Sequence, residues 1–114
     1  MKKEKDPKIF LQHILESIDR IEKNADTLSW EKFKDSVNTQ DIITRRLEII
    51  GEAVKNLPDS FRKKYPVIPW KKIAGMRNIL VHEYFEVDVD LVWKISKKDI
   101  PKLKKQIAGL LKKI

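Results

Sequence analysis

Apolar residues recur along this chain at spacings of three and four, and nowhere do they alternate with polar ones as a half-buried strand requires. Ile9, Phe10, Ile14, Ile18 and Ile21 follow Asp6-Pro7, an N-cap with a proline in the first turn, and predict an amphipathic helix to about Asn24. Between Thr27 and Ser36 the apolar residues Leu28, Trp30 and Phe33 are irregularly spaced, which fits a short helix or an ordered loop capped by Thr27 or Ser29. Ile43, Leu47, Ile50, Val54 and Leu57 then form a sustained stripe that begins after Asn38-Thr39 and stops at Pro58. This is the pattern of a long core helix.

Gly51, in the middle of that helix, costs about 1 kcal/mol relative to alanine. A second helix approaching closely there would offset the cost, and Gly75 is one candidate counterpart; two unrelated, tolerated glycines are the other reading. Asp59 to Tyr65 suits a helical turn. Pro66-Val67-Ile68-Pro69 is expected to be an extended, rigid linker, since proline pushes its predecessor out of the α region. Trp70 opens the next helix, with Ile73, Met76 and Leu80 as its core stripe. From Asp88 a last helical region carries Leu91, Val92 and Ile95, then Ile100, Leu103, Ile107, Leu110 and Ile114, with Asp99-Ile100-Pro101 marking a kink or a new N-cap. The expected architecture is an all-α bundle of four to six helices in one domain covering residues 1–114.

Polar residues interrupt this pattern at one place, Met76-Arg77-Asn78-Ile79-Leu80-Val81-His82-Glu83-Tyr84-Phe85. On a continuous helix Asn78 and His82, four apart, share a face, as do Arg77 and Tyr84, seven apart. Arg77 and His82 would diverge by roughly 140° at 3.6 residues per turn. Meeting on one phosphate then requires a helix end near Val81, or a second copy of the site.

Arg77, His82 and Tyr84 resemble the Arg-x4-His-x-Tyr motif of HepT-like toxins in the HEPN superfamily. Leu47-Glu48-Ile49-Ile50-Gly51-Glu52-Ala53-Val54, Pro69-Trp70, Ala74-Gly75-Met76-Arg77-Asn78 and Val87-Asp88-Val89-Asp90-Leu91-Val92-Trp93 are similar to that family in the same order, so the resemblance covers nearly the whole chain beyond the first helix. It implies an up-down, HEPN-like bundle. It also implies a metal-independent ribonuclease with a composite site at a homodimer interface, in which Arg77 and His82 are the catalytic pair and Asn78 supports them. A nucleotidyltransferase antitoxin would silence the toxin by moving AMP from ATP to Tyr84. Glu83 departs from the glycine that many members carry, and a carboxylate there would repel phosphate.

The residue types suit that chemistry on their own terms. RNA is cut when a base takes the proton of its 2′-hydroxyl, cations hold the phosphorane and an acid protonates the leaving 5′-oxygen. Histidine titrates near working pH, and the guanidinium fork of arginine donates two hydrogen bonds to neighbouring phosphate oxygens. Asn78 could hold the tautomer of His82, and Tyr84 could stack on a base or donate its hydroxyl. Against these roles, Arg77 could simply pair with Glu48 or Glu52, His82 could cap its own helix, and Tyr84 could be a core or interface aromatic. The other histidine, His13, reads as a surface or packing residue. No cofactor is implied.

Charge adds a direction. The net charge is +8, yet residues 1–57 hold 11 Lys/Arg against 11 Asp/Glu, whereas residues 58–114 hold 14 against 6. One basic half attracts polyanions, with RNA (tRNA or mRNA) the expected partner and Lys71, Lys72, Lys97 and Lys98 the candidate phosphate contacts. A solvated lysine face would look the same. The chain has no cysteine, and its N-terminus is neither a signal peptide nor a membrane span, so a cytoplasmic protein without a membrane partner is expected. Two other function classes share these features: a non-catalytic binding subunit of a nucleotidyltransferase, and an RNA-binding or dimerisation module.

Overall fold

The computed structural model describes residues 6–80 and 87–114. It is built from helices α1 (Pro7–Ala25), α2 (Trp30–Lys34), α3 (Val37–Asn56), α4 (Asp59–Lys64), α5 (Trp70–Ala74), α6 (Met76–Leu80), α7 (Val89–Lys94) and α8 (Ile100–Lys113). A π-helical turn, Ile95–Asp99, joins α7 to α8. There is no β-strand among the described residues. Among the described residues, counting α5–α6 and α7–α8 as interrupted single helices gives six helical bodies, the all-α bundle expected.

Helix α3 is the centre. It packs most extensively on α1 and also carries α5, α6, α2 and α7, while α8 packs on α1. Its stripe of Ile43, Leu47, Ile50 and Val54 is fully buried, and Leu57 nearly so. The helix begins three residues earlier than the stripe suggests because Ser36 caps it, its hydroxyl accepting from the Thr39 N–H at 3.3 Å. On α1 the buried set is Phe10, Leu11, Ile14, Ile18 and Ile21, with Ile9 exposed. The helical wheel explains the exchange, since Ile9 lies about 135° from the mean direction of the stripe and Leu11 only about 65°.

The caps follow local chemistry. Asp6 accepts from the Lys8 N–H at 3.0 Å, and Ser29 rather than Thr27 caps α2. Buried Gln40 reaches back from α3, its amide donating to the Phe33 and Lys34 carbonyls at 2.9 Å each, which satisfies the end of α2. Trp30, Phe33 and Trp93 form an aromatic cluster with centroids 5.0 to 6.3 Å apart, binding α2 to α7.

One expectation is corrected, and one pair of alternatives is decided. Pro66 to Ile68 is a turn, closed by the Ile68 N–H on the Tyr65 carbonyl at 3.2 Å, and an inverse γ-turn at Pro69 follows, with the Trp70 N–H on the Ile68 carbonyl at 2.8 Å. The proline rule restricts only Tyr65 and Ile68, so Pro66 and Val67 are free to make the bend. Asp99 is not a new N-cap, as it is helical and its side chain makes no cap hydrogen bond. The chain instead absorbs Pro101 with the π turn, where the Ser96 hydroxyl donates to the Val92 carbonyl at 2.8 Å.

Candidate functional site

The stretch bearing the polar motif is held by backbone contact with α3. A Cβ at Gly51 would lie 3.0 Å from the Ile73 carbonyl oxygen and 3.5 Å from that of Ala74, so α5 approaches α3 as closely as a glycine permits. The close approach anticipated at Gly51 is therefore present. Its counterpart is the Ile73–Ala74 backbone rather than Gly75, whose added Cβ would meet only carbonyls of its own helix at 3.5 Å or more.

Gly75 instead ends α5, its N–H on the Lys71 carbonyl at 3.1 Å, and its own carbonyl accepts from the Asn78 N–H at 3.1 Å as α6 begins. Ile73, Met76 and Leu80 face the core as predicted, and Asn78 is exposed. Arg77 stands on α6 between buried Met76 and exposed Asn78, with its side chain outside the described set. His82, Glu83 and Tyr84 lie outside the described residues, as does the pairing of Asn78 with His82. The two ends flanking them are joined, for the Leu80 carbonyl accepts from the Asp88 N–H at 2.8 Å, and the Asp88 carboxylate caps α7 through the Leu91 N–H at 3.1 Å. The motif region is thus tethered to both α3 and α7.

Of the four lysines expected to contact RNA, Lys71, Lys72 and Lys98 are exposed. Lys97 differs. It is half-buried, its ammonium donates to the Ala25 carbonyl at 2.9 Å and lies 4.7 Å from the Trp93 ring centroid, so it satisfies the end of α1 and stacks on the aromatic cluster. On α8, Lys104 binds Glu22 at 2.7 Å, and that hydrogen bond, followed by the attraction of the same carboxylate, raises its pKa above 10.5. Glu48 is paired with Arg45 at 3.7 Å, and Glu52 is exposed. His13 is exposed on α1.

Two concavities border α5. One, about 170 Å³, has an apolar floor that includes Ile73, Met76, Ile95 and Leu103, between α5–α6 and α8. The other is an open depression of about 670 Å³ between α4 and α5, with Arg62, Lys63, Lys71 and Lys72 at its edge. Arg62 and Lys63 do not stand out in the sequence as site residues, although the absence of any carboxylate from Ser60 to His82 is a legible signal. Among the described residues no group of three or more His, Asp or Glu could hold a metal ion, and no helix is long and apolar enough to cross a membrane.

The family model described as Ribonuclease HepT-like matches residues 14–110, a span that contains α3, the close approach at Gly51 and the whole polar motif. The chain belongs to the HepT-like ribonuclease family. Among HepT-like relatives, the protein named "Gamma-glutamylcyclotransferase and putative RNase" of Methanocaldococcus jannaschii is 52% identical over 96% of this chain, and the chain spans 50% of that relative's length. A protein of Caldanaerobacter subterraneus subsp. tengcongensis named "Putative RNase" is 47% identical over 96% of this chain and 97% of its own. The "Probable ribonuclease HepT" of Thermococcus cleftensis is 45% identical over 92% of this chain and 96% of its own. No solved structure matches the chain.

Proposed function

We propose that this HepT-like chain is the endoribonuclease toxin of a cytoplasmic toxin–antitoxin pair, cutting RNA without a metal at a site that two copies complete. The observation that carries the reading is the family match over residues 14–110, which encloses Arg77, Asn78, His82 and Tyr84 in one run. The exposed Lys71 and Lys72, less than two turns ahead of Arg77, support it by marking the same stretch as attractive to a polyanion.

In this reading His82 takes the proton of a 2′-hydroxyl, the freed oxygen attacks the adjacent phosphorus, and Arg77 holds the charge of the phosphorane. The bond to the 5′-oxygen breaks, and an acid returns a proton to it. The products carry a 2′,3′-cyclic phosphate and a 5′-hydroxyl. One chain has one histidine in the motif, so a two-fold homodimer, which brings the same patch to itself, supplies the second imidazole. Asn78 orients His82, a positioning role consistent with its exposure on α6.

Silencing follows the same geometry. The Tyr84 hydroxyl attacks the α-phosphate of ATP on a nucleotidyltransferase antitoxin, pyrophosphate leaves, and the attached AMP places an anion where the RNA phosphate would bind. The test is incubation of AMP-free protein with tRNA and total RNA in EDTA, with the product ends identified chemically. Cyclic phosphate ends that disappear with His82→Ala are expected. Intact RNA after incubation with the AMP-free parent would overturn the enzyme and leave a partner-binding subunit, with Glu83 the first residue to exchange for glycine. In a companion assay the antitoxin and ATP should add one AMP to the parent and none to Tyr84→Phe.

A further inference from the structure

We infer that Arg62, Lys63, Lys71 and Lys72 form a phosphate-tracking surface that guides a single RNA strand towards the motif, an inference that rests on the ribonuclease reading. From Ser60 to His82 the chain holds Arg62, Lys63, Lys64, Lys71, Lys72 and Arg77 and not one carboxylate. Folding gathers four of these cations around the depression between α4 and α5. Asp59, on the same rim, pairs with Arg62 and leaves three positive charges in excess.

The frame beneath the cations is stiff. The turn at Tyr65–Ile68 and the γ-turn at Pro69 set the angle between α4 and α5. The Trp70 indole N–H closes the same corner by donating to the Tyr65 carbonyl at 3.0 Å, and the Phe61 ring lies 5.1 Å from that of Tyr65 and 6.4 Å from that of Trp70. Helix α5 is in turn seated on Gly51. Lys72 is five residues before Arg77, so the surface ends within about 8 Å, measured along a helix axis, of the motif.

The chemistry selects the ligand class. Trp70, the aromatic residue that lines the depression, is buried and its indole N–H is held by the Tyr65 carbonyl, so its ring is not open to base stacking and the cations read phosphates alone. Binding there should be indifferent to base sequence and steeply dependent on salt. The cations of the π turn and α8 make a poorer track, since Lys97 and Lys104 are spent on Ala25 and Glu22.

The experiment measures binding of a fluorescent 2′-O-methyl oligoribonucleotide, which has no 2′-hydroxyl to react, to the full chain over a range of salt. For a single strand, each phosphate that a variant no longer neutralises lowers the slope of log affinity against log salt by about 0.7. Lys63→Gln alone should lower it by about 0.7, and Lys63→Gln with Lys71→Gln and Lys72→Gln by about 2, with at least tenfold weaker binding at about 0.1 M salt. The matched triple Lys105→Gln, Lys112→Gln, Lys113→Gln should leave slope and affinity near the parent's. An unchanged slope in the first triple, an equal loss in both triples, or no binding by the parent overturns the surface. Parent protein that binds with the expected slope but leaves natural RNA uncut in EDTA overturns the enzyme reading and keeps the surface.

Discussion

On α3, the residues that recur every three or four positions are Ile43, Leu47, Ile50 and Val54, none of which reaches solvent. On α4 and α5, the outward positions are taken instead by Lys63, Lys71 and Lys72, all exposed around one depression. Both regions are helical, and they meet at Gly51, where the Ile73 carbonyl would stand 3.0 Å from an added methyl. The chain divides along its length into a charge-balanced scaffold that holds position and a basic strip, the strip being the part we propose presents groups to a polyanion. Stability and RNA contact should therefore respond to different substitutions.

The largest effect expected lies in the scaffold. Leu47→Ala empties a fully buried site on α3 and should cost about 2–5 kcal/mol in chemical denaturation, whereas Lys63→Gln should change stability by less than about 0.5 kcal/mol. Equal losses would erase the distinction. Next, Gln40→Met keeps the volume but strips the Lys34 carbonyl of its amide donor and leaves the Phe33 carbonyl to the Ser36 N–H, with a cost of about 1–3 kcal/mol.

Gly51→Ala tests the joint between the two regions. The added methyl gains about 1 kcal/mol of helix propensity but presses on a backbone carbonyl, an overpacking cost of about 1–3 kcal/mol. A small net destabilisation is expected, together with slower RNA cleavage, because α5 must shift and Arg77 lies three residues beyond its end. A variant more stable than the parent with unaltered cleavage would show that the approach is dispensable. Smallest is the exposed Lys104–Glu22 bridge. The Lys104 pKa is raised in the folded chain, so the bridge contributes fully below pH 10.5 and its contribution fades as pH climbs past the folded value. The difference in melting temperature between parent and Lys104→Met should accordingly be slight at neutral pH and vanish in strong alkali.

The scaffold was largely legible in the sequence because a stripe such as Ile43, Leu47, Ile50, Val54 has one physical explanation, burial of one helix face. The caps at Asp6 and Ser29 were legible for a similar reason, since short oxygens before a helix have few other uses. The strip was less so. That Pro66-Val67 bends instead of extending depends on the Tyr65 carbonyl, which holds both the Ile68 N–H and the Trp70 indole. The choice of Ile73–Ala74 over Gly75 as the neighbour of Gly51 is a matter of which turn of α5 lands on α3, and spacing does not carry that. Lys97 reads as one more surface lysine until the fold brings the end of α1 to it. Arg62 and Lys63 join Lys71 and Lys72 only across the turn. The residues proposed for the chemistry, Arg77, His82 and Tyr84, were marked by type, spacing and the family resemblance of the stretch around them.

The most direct test of the division between scaffold and strip is the initial rate of RNA cleavage in EDTA by His82→Ala beside the parent, with both melting temperatures measured. The expected result is a rate lowered by about a hundredfold or more with melting essentially unchanged. Cleavage at the parent's rate by a fully folded His82→Ala protein would contradict the account, placing the chemistry outside the motif.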